Sequence, residues 1–437
     1  MSAWAAAAAA GSVGAVALVS RRLTQTAVSG PMVLVAAGIA SGPVGLDLLD
    51  VSQDAEAVKL LFEVALVAVL FTDAAGVRWS ALRRDDALPL RLLGLGLPLT
   101  MLFGAIGAWL LLPGFTVWEL ALVGVILAPT DAALGQPAIA DPRVPATVRR
   151  GLNVESGLND GIALPFFVVL LAASTGDTDG AGAAEVFLLA LGLSTAVGVA
   201  VGWLGARLLA WSTAAGWVSA EWRRVPALMF AALGYVVTVS LGGSGFITAW
   251  VAGLVFGVVW RRAVPASEAA TAGPASVIGL SEELGDLLAS LSFFVFGAVL
   301  LGPALSVVDW RTSLYAILSL TLVRMVPVAV ALLGSRLRPA TVLYVGWFGP
   351  RGLASIVFAL LLLEDGPPAA DLLVDVVSLT VGLSVLLHGA TATWAAGSYS
   401  DWHARAAADD PDLREGPAEP PAGSPPAAQP SAAVRRP

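Results

Sequence analysis

The chain has 437 residues, 57% of them hydrophobic and 13% charged, with a formal net charge of −8 at pH 7. Soluble domains carry about 25% charged residues, so a soluble globular class is excluded, and the many long apolar runs point to membrane helices and not to a barrel. With no cysteine and two histidines, His388 and His403, disulfides, thiolate chemistry and Cys- or His-rich metal sites are excluded as well.

Thirteen apolar segments follow one another, each near the ~20 residues that span a bilayer. The first covers about residues 3–20; it has no basic leader and is followed by Arg21-Arg22, so it reads as a retained helix and not a signal peptide. The next six cover about 24–45, 56–76, 87–112, 117–139, 146–173 and 184–211. The last six cover about 225–241, 245–260, 284–302, 311–334, 341–363 and 371–396. The connection at 263–281 is longer than the others. From Asp401 to the end the chain is rich in Pro, Ala and acids, and a disordered tail is expected over 401–437.

Charge fixes an orientation. Arg21, Arg22, Arg78, Arg83, Arg84, Arg91, Arg143, Arg149, Arg150, Arg207, Arg223, Arg224, Arg261, Arg262, Arg336 and Arg338 all fall on one face. Only Lys59 and Arg311 fall on the other, among Asp47, Asp50, Asp54, Asp177, Asp179, Glu364, Asp365 and Asp371. Basic residues stay inside, so the N-terminus is expected outside and the C-terminus in the cytoplasm, which requires an odd number of crossings.

The stretch Asn153–Gly161 reads NVESGLNDG within an otherwise apolar run. A mid-membrane Asp or Glu costs roughly 2.5–3.5 kcal/mol on insertion, so such residues usually line a polar path. On a helix, Glu155 and Asn159 are one turn apart, as are Ser156 and Asp160, and the two pairs share one side. Two further segments are interrupted: the fifth at Pro129-Thr130-Asp131 and Pro137, the twelfth at Gly349-Pro350-Arg351-Gly352. Proline removes a backbone donor, and broken helices at membrane depth are tolerated where they line a cavity. The two breaks are central in segments 4–6 and 11–13. Broken helices at matching positions of two halves mark an inverted-repeat transporter with a midplane site; the plainer alternative is two proline kinks.

Asp160 and Asp131, the Thr130 and Ser156 hydroxyls and carbonyls freed near Thr130 make an oxygen set that suits a hard monovalent cation such as Na⁺ or Li⁺, and K⁺ is not excluded. Burial and like charge favour protonation of a carboxylate, so protons and cations would compete there, with Asp160 as the main carrier. Arg351 cannot shed its proton and needs a partner, for which Glu155 is expected as a structural ion pair. Arg324 is a second intramembrane base, facing either a helix C-terminal carbonyl or a carboxylate. Asp73 lines the cavity or sits at the interface. Glu63 has no evident partner, and Glu282, Glu283 and Asp286 read as a solvated helix start.

At APTDAAL, NVESGLNDG and GWFGPRGLASIVFALL the sequence resembles the monovalent cation:proton antiporter-1 family, and GGSGFITAWVAGLVFG and GPMVLVAAGIASGPVGL look similar to two further helices of that family. The resemblance spans about residues 24–396. It implies an all-α membrane fold of about thirteen transmembrane helices, inverted repeats and two crossing broken helices. It also implies a core from about 87–173 and 311–396, with the rest of 1–400 as dimerisation scaffold. The implied activity is exchange of Na⁺ or Li⁺, or K⁺, for a proton by alternating access, in a homodimer of the bacterial inner membrane serving sodium transport and pH homeostasis. The family's cation- and proton-binding positions map to Thr130, Asp131, Ser156, Asn159 and Asp160, its glutamate and pairing arginine to Glu155 and Arg351, and an arginine of the preceding helix to Arg324. Asn159 in place of a second aspartate resembles the electroneutral branch, with one cation per proton. Two departures stand out. Ala132 follows Thr-Asp where the family often has proline, and Phe71-Thr72-Asp73-Ala74 stands where it often has Phe-Glu-Gly-Gly, so Asp73 takes the place of that glutamate at a shifted position.

Other classes give weaker readings. Gly242-Gly243-Ser244-Gly245 fits the GxSG of intramembrane serine proteases, with His388 as a conceivable base, but close helix packing explains small residues equally well. A cation channel would need a filter-like stretch, and none is present. No GxxxxGK[ST] phosphate loop occurs, so no nucleotide-driven pump, cofactor, enzyme activity or nucleic-acid partner is expected.

Overall fold

The computed structural model describes residues 3–24, 26–49, 51–77, 88–131, 134–136, 139, 141–175, 180–264, 274–367, 369–410 and 413–416. Asp50, Arg78, Arg83, Arg84, Ala132, Pro137, Asp177, Asp179, residues 265–273 and the tail from 417 lie outside the described residues.

Among the described residues all regular structure is helical. The first group is α1 (Ala3–Leu23), α2 (Gly30–Ser41) and α3 (Val51–Gly76). Next come α4 (Leu88–Leu111), α5 (Val117–Ile126) and α6 (Ala146–Thr175), then α7 (Gly180–Ala214), α8 (Val225–Ser240), α9 (Gly245–Ala263) and α10 (Pro274–Phe296). The last group is α11 (Trp310–Ala331), α12 (Pro339–Trp347), α13 (Leu353–Asp365) and α14 (Ala370–Asp409). Helix lies in each of the thirteen expected segments. Among the described residues eight helices are long and apolar enough to cross a membrane, and three shorter apolar ones accompany them. Leu18, Trp109, Leu110, Leu314 and Leu333 are exposed, an outer surface that suits lipid and not water.

Two bodies of packing meet at the middle. In one, α2 and α3 pack on α10, and α9 packs on α3, α7 and α8. In the other, α4 packs on α5 and α11, α5 on α6, and α14 on α11 and α13. They touch where α3 meets α6 and α13, and where α9 meets α6. There Lys59 on α3 binds Glu364 on α13 and lies 3.9 Å from Glu63, which gives Glu63 its partner.

Both interruptions fall where proline forbids helix. Pro129 has no N–H for the Val125 carbonyl and disfavours helical backbone at Ala128, so α5 stops at Ile126 and the chain runs on extended. Pro350 does the same to the Gly346 carbonyl, and α12 stops at Trp347 before α13 resumes at Leu353. The GGSG stretch is a helix stop and start: Gly242 takes φ +81°, which suits glycine, and Ser244 caps α9 by accepting from Ile247 N.

Two expectations are corrected. The chain does not lose structure at Asp401, because α14 continues to Asp409 and residues 413–416 fold back. The reason is the start of α12, whose first turn needs acceptors. Fully buried Glu415 supplies one, accepting from Arg338 N at 2.8 Å and Thr341 Oγ1 at 2.7 Å. Arg338 also pairs with Asp410 at 2.8 Å, and His403 Nε2 meets the Gly416 carbonyl at 3.1 Å. Secondly, Glu282, Glu283 and Asp286 do not start a helix; α10 begins two turns earlier, at Pro274.

Candidate functional site

The two extended segments cross and complete each other. Asp131 N donates to the Pro350 carbonyl at 2.8 Å. The Asp131 carboxylate accepts from Leu353 N at 3.0 Å, at the N-terminus of α13 where the helix dipole favours an anion. In the other direction Ser355 Oγ donates to the Ile126 carbonyl at 2.7 Å, at the C-terminus of α5. Arg351 Nη1 donates to the carbonyls of Ala128 at 2.9 Å and Pro129 at 3.2 Å, placing a cation where α5 presents its negative end. Any side chain at position 352 would collide with the Asp131 carboxylate, so this close approach needs glycine.

The expected Glu155–Arg351 ion pair is not formed. Glu155 instead pairs with Arg324 of α11. Nη2 donates to Oε2 at 2.9 Å, while Nη1 lies 2.6 Å from Oε1 in ion-pair contact without hydrogen-bond alignment. Both side chains are 1% exposed. The physical reason lies in the two breaks. Arg351 is drawn to the carbonyls that the α5 break sets free, whereas a backbone break at Thr321 (φ −113°, ψ −93°) turns Arg324 inward towards α6. A buried carboxylate left without its guanidinium would be costly, so Arg324 is the residue that makes Glu155 tolerable.

His388, reached by α14, joins this frame. Its Nε2 lies 3.0 Å from the Trp347 carbonyl and its Nδ1 3.1 Å from Ser384 Oγ. Nδ1 also lies 3.1 Å from the Ser384 carbonyl, so each ring nitrogen faces a carbonyl acceptor, and Ser384 Oγ accepts from Arg351 N at 2.7 Å. His388 thus secures the end of α12. Ser244 N donates to Ser194 Oγ and its hydroxyl caps α9, while His388 is engaged by Ser384 and Trp347, so nothing among the described residues supports the alternative reading of a Ser244–His388 protease dyad.

Thr130, Ser156, Asn159 and Asp160 converge at the crossing, on α6 and the extended segment after α5. Asn159 Nδ2 donates to Thr130 Oγ1 at 2.7 Å and to the Thr130 carbonyl at 3.3 Å, and Thr130 Oγ1 lies 3.1 Å from Ser156 Oγ. Asp160 is 9% exposed and its Oδ1 has no partner. It borders a cavity of about 420 Å³ that also reaches Thr130, Asp131 and Ser156, and Asp73 lies on the α3 wall of the same cavity. All six cation- and proton-binding positions named from the sequence are therefore gathered in one place, with Asn159 behind Thr130. Among the described residues no three acidic or histidine side chains cluster closely enough to hold a metal ion by themselves.

Sequence reasoning missed the opposite wall. Ser281, Glu282 and Asp286 of α10 border the cavity, as does Thr72 of α3. The signal was present as helical spacing: Glu282 and Asp286 are one turn apart on the side that also carries Ser281 and Gly285.

The chain matches the family model described as "Sodium/hydrogen exchanger, transmembrane" over residues 9–396. It is 27% identical over 379 residues to the K(+)/H(+) antiporter NhaP2 of Shewanella sp. (strain MR-4), covering 84% of this chain and 62% of that protein. The Shewanella baltica (strain OS223) protein of the same name is 26% identical over 380 residues, covering 84% of this chain and 61% of that protein. The chain thus spans a little over three fifths of the length of these relatives. In structure it is similar to the sodium proton antiporter MjNhaP1 of Methanocaldococcus jannaschii, with a TM-score of 0.75 and 21% identity over 91% of this chain and 99% of that one. The likeness in structure shows the same antiporter fold, and the match along nearly the whole membrane part shows that this chain belongs to the sodium/hydrogen exchanger family.

Proposed function

We propose that the protein exchanges a monovalent cation for a proton across a membrane by alternating access, one for one. The observation that carries this reading is Asp160: a buried carboxylate with an unpartnered oxygen, bordering a cavity of about 420 Å³ at the crossing of two broken helices. A carboxylate in that position holds either a proton or a cation, and mutually exclusive loading couples the two flows. Thr130 and Ser156 hydroxyls and the Asp131 carboxylate supply further oxygens for the cargo. Asn159 supports the one-for-one count, because its amide is neutral and fixed on Thr130, leaving a single carboxylate at this point of α6. The Shewanella relatives are named for K⁺ and the archaeal structure for sodium; oxygen ligands of this kind suit Na⁺, Li⁺ and K⁺.

On this reading the protein is a transporter and not an enzyme, needs no resident cofactor, and works as a homodimer in a bacterial inner membrane with its basic face in the cytoplasm. The cavity then opens inward, since it lies by the C-terminus of α3 next to that face. The test is proton flux in proteoliposomes, reported by a pH-sensitive dye on addition of Na⁺, Li⁺ or K⁺, with and without a potassium/valinomycin clamp. Flux with any of the three that is indifferent to the imposed potential supports electroneutral exchange. No response to any of them, from folded protein, overturns it.

A further inference from the structure

We infer that Lys59 and Glu364 form an outer latch: an ion pair that ties the two bodies of packing together while the cavity is open at the opposite end, and that parts when the site opens to the other side. The inference deepens the exchange reading and rests on it. Lys59 is the only lysine in the chain. It lies on α3, in the body with α9 and α10, and its ammonium donates to Glu364 on α13, in the body that carries the crossing. The two side chains are 42% and 45% exposed. The pair therefore joins elements that alternating access must move past one another, at a place reached by water.

The interface between α3 and α13 has three layers. Lys59, Phe62, Leu66, Val69 and Asp73 recur at helical spacing along one side of α3, and Glu364, Val357 and Leu353 do so in the opposite direction on α13. Val69, Asp73 and Leu353 border the cavity. Phe62, Leu66 and Val357 are at most 1% exposed and belong to one apolar cluster. Lys59 and Glu364 close the far end, roughly 20 Å from Asp73 at the helical rise per residue. A cavity, an apolar seal and an ion pair thus follow one another along a single helix pair, and the seal can part there only if the ion pair does. The chemistry suits a contact that is broken in every cycle. An exposed pair biases an equilibrium by only about a few-fold. A lysine ammonium is a hydrated point charge without the two-pronged grip of arginine. Glu63, one turn along α3 and 3.9 Å from the ammonium, gives Lys59 an anion on its own helix when Glu364 moves away.

The chain has no cysteine, so a single Val357→Cys parent reports on the seal. In detergent-solubilised protein at low ionic strength, its labelling by N-ethylmaleimide should quicken about two- to fivefold when Lys59→Gln or Glu364→Gln is added. The charge swap Lys59→Glu/Glu364→Lys should return the rate close to that of the parent. Choline chloride should quicken labelling in the parent and leave Lys59→Gln unchanged, because an exposed pair is screened. Cation-driven proton flux in proteoliposomes should stay within about threefold of the parent in every variant, as a few-fold bias requires. Equal labelling with and without the pair, in a parent that exchanges cations, overturns the latch and leaves exchange standing. A rise that the swap does not reverse overturns it too, because lost packing and not lost charge then opens the seal. Abolished flux in Lys59→Gln would place the pair in the transport machinery and overturn the latch. A parent that moves no protons with Na⁺, Li⁺ or K⁺ removes the exchange reading, and the latch with it.

Discussion

The crossing of the broken helices and the cavity beside it are both polar and buried in an apolar protein, yet they are built on opposite principles. In the crossing, the exposed ends of one half-helix are met by the other. Ser355 and Arg351 serve the C-terminus of α5, and Asp131 serves the N-terminus of α13. On the cavity wall, Asp160, Thr72 and Ser281 keep oxygens without partners. A polar group satisfied inside the protein holds shape, and Asp160, which borders the cavity with an unpartnered oxygen, is the group on which the exchange reading rests. The difference therefore separates residues whose loss should unfold the site from those whose loss should silence it.

The largest effect on function is expected at the open wall. Asp160→Asn should abolish cation-driven proton flux while the melting temperature in detergent stays near wild type, since the missing charge had no partner inside the protein. Residual exchange in this variant would move the carrier elsewhere. Next comes the frame: Glu155→Ala leaves Arg324 buried and unpaired, at a cost of roughly 3–5 kcal/mol, visible as low yield and a lowered melting temperature. The double variant Glu155→Ala/Arg324→Met should regain much of that loss, whereas pairing Glu155→Ala with Arg351→Met should not; the reverse result would restore the pair expected from sequence. Ser355→Ala strands the Ile126 carbonyl and should cost about 1–3 kcal/mol, with exchange slowed in proportion to the loosened crossing. The smallest effect is expected at Glu415→Gln, which keeps an acceptor for Arg338 N and should cost about 0.5–1.5 kcal/mol, with KM for the cation unchanged.

Much of this was legible in the sequence because membranes make polarity expensive. Thr130, Asp131, Ser156, Asn159 and Asp160 stood out as oxygen and nitrogen groups in apolar runs, and Pro129 and Pro350 marked both breaks by the backbone donor each lacks. What could not be read was which arginine meets Glu155. That choice depends on the path of α11 past α6, set by the turn at Thr321, and no residue type announces such a turn. Glu282 and Asp286 were misplaced for a different reason. Acidic residues at a helix start look the same as acidic residues facing a cavity until the helix is seen to begin at Pro274. Glu415 was hidden inside a Pro- and Ala-rich stretch, where composition argued for disorder and a single buried carboxylate decided otherwise.

The fold-back at Glu415 has a practical consequence for anyone attaching a reporter. A fluorescent protein or affinity handle joined just after Gly416 leaves from a fixed anchorage beside Thr147 at the start of α6 and Arg338 at the start of α12, and not from a free end. Trimming back past Leu413 would strip the acceptor from the first turn of α12. A shortened variant built for convenience would then differ from the full chain in the half-helix that leads to the crossing.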